Sequence, residues 1–521
     1  MAAPKSRTTV PLRGYERFMT LASNGSVKIA HIMMLRSDSG EALPAFLEGI
    51  PTAVLRAFNK HPRMRAKQLR DEFAMAEIHA PITMEALQMQ HLLEIQECKH
   101  DGDNWAKFVE KECNIPFDRY AMFPYYVRIW HVPSKHYMRL MLFSDHCMSD
   151  GTSGMIILND IVTLASALSR HSPNQQEEMR PFAGQDERPV SPPLYELWRE
   201  SLGWWRRFSS TQLVKLFGKM SYQSDLWRFT PVIPLRADQG DFKIPPNVNS
   251  SSALFAQGTS GNMQKTLARC KEESVTFFGA VVAGVVIAYY LATERDHEDG
   301  ESLFKLTTEF DVNMRKRIEC PTLEGEVGAY MATNAIERIS KEGVHMNTVT
   351  FWEFARQAKQ DVEKLVGSLV MPFPMLFLDE NVHERAKPEF FDDLPVPQSI
   401  SSDVNISSLG KYPYEMVHSV QTAALRPVDV VIDSVHVYNS MPHLTAAAIA
   451  YIASTDKFSF SLMHKYEHDA AQQLFDAFTT SIEHVGMIAT KDTMANVATR
   501  VRQILKSKQS RTAISKSPRF N

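Results

Sequence analysis

Eighteen consecutive residues, Val275 to Ala292, carry no charge. A run this apolar has two ways to leave water. It can span a bilayer, for which about 18 residues is the lower limit, or it can lie at the centre of a body large enough to surround it. Its context points to the second. The preceding Met263–Lys271 stretch has helical amphipathic spacing, no second span exists, and Gly279, Ala280, Ala283 and Gly284 suit close packing against neighbours. The chain has 521 residues, 44% of them apolar, which is enough for a core of two or more domains.

The chemistry-bearing stretch comes earlier. Tyr137–Phe143 reads as a buried strand, and Gly151 to Gly154 mark a turn before the apolar helix-like run Met155–Val162. His146 therefore stands at a strand end, at the mouth of a turn. A neutral imidazole there can take a proton from an alcohol or amine attacking a carbonyl, because imidazole titrates near neutral pH. Asp150 need not touch substrate: its carboxylate can hold the turn through an arginine elsewhere, while Gly151 leaves room for close approach. A histidine and an aspartate four apart mean little in a chain with 18 His. Requiring the following glycine lowers the chance expectation to about 0.04, so the triplet carries information. Cys147 beside His146 raises a thiol-nucleophile reading, against which adjacent residues on extended backbone face opposite ways.

His146–x–x–x–Asp150–Gly151 resembles the H-x-x-x-D-G motif of the chloramphenicol acetyltransferase-like superfamily, which holds alcohol O-acetyltransferases, plant acyltransferases and condensation domains. Further segments agree with it. Phe58–Ala66 resembles the helix that ends in His-Pro before a strand, which gives His61 a structural role. Asn114–Asp118 leads into the strand Tyr125–His131, whose spacing to His146 fits a hairpin. Val312–Asn313–Met314–Arg315 resembles the strand ending in Asn-hydrophobic-Arg. Ser402–Gly410 resembles the Asn/Ser-rich stretch of the alcohol-acetyltransferase branch. Asp145 stands where many condensation domains carry a first histidine, and the plant branch's Asp-Phe-Gly-Trp-Gly is absent.

The resemblance covers residues 11 to 490. It implies an α/β fold of two chloramphenicol acetyltransferase-like subdomains, each a mixed β-sheet with flanking helices, with the active-site tunnel between them. The expected division is an N-terminal subdomain over 1–170, a crossover linker over 171–250, a C-terminal subdomain over 251–490 and a basic tail over 491–521. It further implies His146 as general base, Arg315 as the structural partner of Asp150, and a cost of about 3–5 kcal/mol for stranding either buried charge. Asn405, Ser407 and Ser408 are candidates for oxyanion or acceptor contacts, worth about 2.7–4 kcal/mol per donor, or else they form a polar strand end.

Several readings stay open. The tryptophans of the linker, Trp204 and Trp205 among them, either anchor it to the body or line a pocket. From residue 498 the tail carries seven Lys or Arg and no acid, which fits a disordered solvated segment or weak contact with acidic lipid headgroups. The expected activity is an acyl-CoA-dependent O-acyltransferase. Acyl-CoA is a co-substrate, the partner is an alcohol or other small acceptor, and no metal or other cofactor is needed. The alternatives are carrier-protein-dependent condensation and a catalytically silent binding relative. A net charge of -3 implies no nucleic-acid surface, and five cysteines without C-x-x-C spacing suit a reduced interior. With no signal-type apolar segment at the N-terminus, the chain is expected to be a cytoplasmic monomer.

Overall fold

The computed structural model describes residues 8–20, 26–98, 104–169, 186–221, 229–236, 251–293, 303–318, 321–368, 376, 379, 400–422, 426–441 and 446–516. Prolines 245 and 246 of the linker, Cys320 and the last five residues lie outside them.

Two six-stranded mixed sheets organise the chain. In chain order the strands are β1 Thr8–Pro11, β2 Lys28–Arg36, β3 Ala66–Gln68, β4 Met75–Ile78, β5 Leu93–Glu97, β6 Tyr125–Val132, β7 Tyr137–Asp145, β8 Ser252–Gln257, β9 Leu303–Phe304, β10 Thr308–Asn313, β11 Met331–Ala335, β12 Val344–His345, β13 Val404–Lys411, β14 Val417–Gln421, β15 Pro427–Asn439, β16 Ala448–Ser454 and β17 Phe458–His464. The first large sheet has the order β14-β15-β2-β7-β6-β5 and the second β11-β10-β13-β16-β17-β8. β6 and β7 form the expected antiparallel hairpin. The α/β architecture of two sheet-centred halves agrees with the expected fold class.

The division by sequence position needs one correction. β14 and β15 lie beyond residue 251, yet β15 pairs antiparallel with β2 over Val431–Asn439 and so belongs to the first sheet. The second half of the chain thus lends two strands to the first. Alternation identifies a strand but not its sheet, so the crossing of β15 is not legible from its own residues.

The apolar run forms the helix Phe277–Ala292, buried from Gly279 to Tyr289. A Cβ on Gly284 would lie 2.5 Å from Ile482 Cδ1 in the helix His468–Glu483, so the small residue is what permits this approach. Among the described residues one helix, Gly151–Leu168, is long and apolar enough to cross a membrane, and most of it is buried in the body.

The tail expectation is also corrected. Residues Met494–Lys516 are helical, with Met494, Val497, Ala498 and Val501 buried at helical spacing and Thr493 Oγ1 accepting from Asn496 N at its start. The basic residues mask this stripe in composition, but four apolar contacts on one face suffice to dock the helix. In the linker, helices Leu194–Ser201 and Trp204–Ser221 are present; Trp198 is buried, whereas Trp204 and Trp205 are exposed and anchor nothing.

Candidate active site

The site is built where β7 ends. His146 N donates to the Val27 carbonyl at 3.1 Å, and the turn closes through Met148 N to the Asp145 carbonyl at 3.0 Å. His146 Nδ1 lies 2.8 Å from the Ser149 carbonyl. A carbonyl only accepts, so Nδ1 carries the proton and Nε2 of the neutral ring keeps its lone pair. The residue is 6% exposed. Asp145, in the place of a first histidine, is a buried turn-holder: Arg119 Nε donates to its Oδ2 at 2.7 Å and Cys147 N to its Oδ1 at 3.2 Å. Burial, with Asp145 beside it, pushes the Cys147 thiol well up, which removes it as a nucleophile.

Asp150 caps the helix Gly151–Leu168, its Oδ1 accepting from Ser153 N at 2.8 Å and Ser153 Oγ at 2.9 Å. Tyr330 N donates to Oδ2 at 2.9 Å, and Arg315 reaches both oxygens. Burial alone would raise this carboxyl. The Arg315 guanidinium and the Ser153 donors outweigh it and hold Asp150 below the usual carboxylate range. Arg315 also donates to the carbonyls of Glu326 and Gly328, so its charge stitches the return loop before β11 to the motif helix. Asp150 thus ties the start of the helix after the His146 turn to Arg315 and Tyr330.

At Gly151 a Cβ would lie 2.2 Å from Leu409 Cδ2, and at Gly154 it would meet the His31 ring at 2.2 Å. Both positions require glycine because neighbours fill the side-chain space. His31 Nε2 donates to the Gly151 carbonyl at 3.0 Å; burial lowers its pKa to about 4 and keeps it neutral.

The strand pair β10 and β13 supplies a polar wall. Asn405 Nδ2 and Thr333 Oγ1 both donate to Asp311 Oδ1, at 3.0 and 2.7 Å, and Ser407 also hydrogen-bonds this carboxylate. Asp311 interacts electrostatically with His146. One amide hydrogen of Asn405 is therefore spent on Asp311. Strand alternation turns Ser408 to the opposite face, so it does not join this group. Desolvation raises the carboxyl of Asp311 and pushes that of Glu309, two residues earlier, up to about 7. Neither acid stands out in the sequence. The signal that could have found them is the alternation Thr308–Glu309–Phe310–Asp311–Val312–Asn313, which lines the acids along one face of a strand, a face that is half-buried in the fold.

A cavity of about 940 Å³ opens beside the N-terminus of the motif helix. Gly151, Thr152, Asn313 and Leu409 line it, together with charges of both signs: Lys60, Arg188, Arg315, Lys316 and Lys411 against Asp160, Glu187, Glu324 and Glu326. A second cavity of about 430 Å³, lined by Trp105, Phe255, Arg139 and His436, lies between β2, β7, β8 and β15. His146 lines neither cavity. His61 stands apart, bonded through Nε2 to Asp160 Oδ2 at 2.8 Å as a structural group.

No family model and no curated protein matches the sequence. Solved structures do match the fold. A trichothecene 15-O-acetyltransferase from Fusarium sporotrichioides superposes with a TM-score of 0.67 at 13% identity, over 94% of this chain and 97% of that one. The first condensation domain of the calcium-dependent antibiotic synthetase gives 0.60 at 10% identity, over 94% and 99%. The condensation domain of the monacolin K polyketide synthase gives 0.58 at 13% identity, over 94% and 100%. The chain therefore has the two-subdomain fold shared by condensation domains and chloramphenicol acetyltransferase-like acyltransferases.

Proposed function

We propose that this chain is an acyltransferase that moves an acyl group from acyl-CoA to a hydroxyl acceptor, with His146 as general base. The observation that carries the reading is the bond from His146 Nδ1 to the Ser149 carbonyl, which leaves Nε2 as the free base at the end of β7. In the reaction Nε2 takes the acceptor's O–H proton as the oxygen bonds to the thioester carbon. The C–S bond then breaks, and the imidazolium returns the same proton to the leaving sulfur. Protons balance over the cycle, so the histidine ends neutral and no acyl-enzyme, metal or prosthetic group is required. Asp150 and Arg315 act as positioning residues that hold the turn. Gly151 admits Leu409 beside it, and Asn405 and Ser407 hold Asp311 where its charge can offset the imidazolium.

Arg188 and Lys411 in the cavity next to Gly151 support a phosphate-bearing donor, since Arg and Lys recognise phosphate oxygens, although acids share the lining. The acetyltransferase among the fold relatives supports a hydroxyl acceptor. The condensation domains keep a second donor in view, a carrier-protein thioester, whose arm bears one phosphate. Free cysteines at 98, 113, 147 and 270 accord with work in a reducing compartment, the cytoplasm. The test is thiol release from a panel of acyl-CoAs with mixed alcohols and amines, comparing the wild type with His146→Ala. Acceptor-dependent release that the variant loses supports the proposal. No release by a folded wild type rejects the acyl-CoA reading and turns attention to the carrier-dependent and silent alternatives.

A further inference from the structure

The helix Trp204–Ser221 has an exposed outer face. Val214 is fully buried, and Arg207, Ser210 and Thr211 are half-buried, which defines its inner side. Trp204, Trp205, Phe208, Leu213 and Leu216 are between 53% and 71% exposed. The Trp204, Trp205 and Phe208 rings touch one another, with centroids 4.8 to 6.4 Å apart, so they form one patch.

Charge borders this patch. At about 100° per residue, the exposed Arg206 falls about 100° to one side of Trp205, at the margin of the apolar stripe, and the exposed Lys215 falls about 80° to the other, between the lines of Trp204 and Phe208 and about three turns further along. The helix sequence contains Arg206, Arg207, Lys215 and Lys219 and no Asp or Glu. Two copies of this helix packed face to face would bring cations to cations with no acid of their own to meet them. An aromatic patch accompanied by exposed cations and no acid instead fits a bilayer surface, where indole rings settle at headgroup depth and Arg and Lys meet anionic headgroups.

We propose that the helix Trp204–Ser221 docks this protein onto lipid bilayers that carry anionic headgroups. The inference is independent of acyl transfer. It is tested with the full chain by co-sedimentation with phosphatidylcholine vesicles prepared with and without phosphatidylserine. The wild type is expected to pellet with the phosphatidylserine vesicles and to shift its tryptophan emission to the blue. The triple variant Trp204→Ser, Trp205→Ser, Phe208→Ser loses both signals, and Arg206→Glu with Lys215→Glu lowers partitioning by about tenfold or more. All five side chains are solvent-facing, so unchanged thermal unfolding keeps the comparison fair. Failure of the wild type to bind phosphatidylserine vesicles overturns the proposal. So does a triple variant that pellets like the wild type, or a wild-type dimer that forms without lipid, binds no vesicles and dissociates in the triple variant.

Discussion

The Arg315 guanidinium holds the Asp150 carboxylate through two hydrogen bonds, Nη1 to Oδ2 at 2.7 Å and Nη2 to Oδ1 at 3.1 Å, across 165 residues of chain. Both groups are buried, so removing either partner leaves the other as an uncompensated charge. Asp150→Asn and Arg315→Met should each lower the unfolding free energy by about 3–5 kcal/mol, and the double variant by less than the sum. Because the folded-state pKa of Asp150 lies below its ordinary value, its contribution is present above that value and disappears as pH falls through the native one. Denaturant melts of the three variants between neutral and strongly acidic pH check both statements.

Glu309 gives the opposite sign. Burial pushes its carboxyl up to about 7, so the folded state favours the protonated form. Its contribution is complete below the ordinary carboxylate value of 4.5 and is lost as pH rises through about 7. Glu309→Gln should remove this loss, so the stability difference between variant and wild type grows in favour of the variant from pH 4.5 to 7. A difference that stays flat across that window would show that Glu309 titrates normally.

These two carboxylates mark where the sequence is legible. The strand, the turn and the helix around His146 are local, and alternation followed by glycines exposes them. The Asp150–Arg315 contact is not local; only the resemblance carried by Val312–Arg315 brings the two together. Glu309 and Asp311 escape notice because an alternating strand with acids on one face reads as solvent-facing, whereas here that face is only partly exposed and both carboxyls are desolvated. The crossing of β15 to the first sheet escapes for a related reason, since period-2 patterning reports a strand's faces and not its neighbours. The helix Met494–Lys516 is hidden by its own charges, which dominate composition while four apolar residues decide docking.

Close packing at Gly151 sets a third expectation. A methyl group there would stand 2.2 Å from Leu409 Cδ2, so Gly151→Ala must displace either Leu409 or the first turn of the motif helix. Overpacking of this kind costs about 1–3 kcal/mol. Leu409→Ala removes the obstructing atoms, and the double variant should recover most of the lost stability and activity. Thermal melts and acyl transfer by the four proteins form the cycle that decides it.

Asp311 supplies the last expectation. Its Oδ1 accepts from Asn405 and Thr333, and its charge lies close enough to His146 for the two to interact. Under the proposed reaction the histidine is positive only between proton uptake and proton return, so a carboxylate held nearby stabilises that interval more than the ground state. Asp311→Asn keeps the size and hydrogen-bonding shape but removes the charge. Loss of a through-space stabilisation of about 1.4 kcal/mol corresponds to a fall in kcat of about tenfold, with KM for the acyl donor little changed. Thr333→Val, which removes one of the donors, should give a smaller fall in the same direction. If Asp311→Asn instead lowers thermal stability while folded enzyme turns over at the wild-type rate, Asp311 serves the packing of β10 against β13 and contributes nothing to the proton transfer.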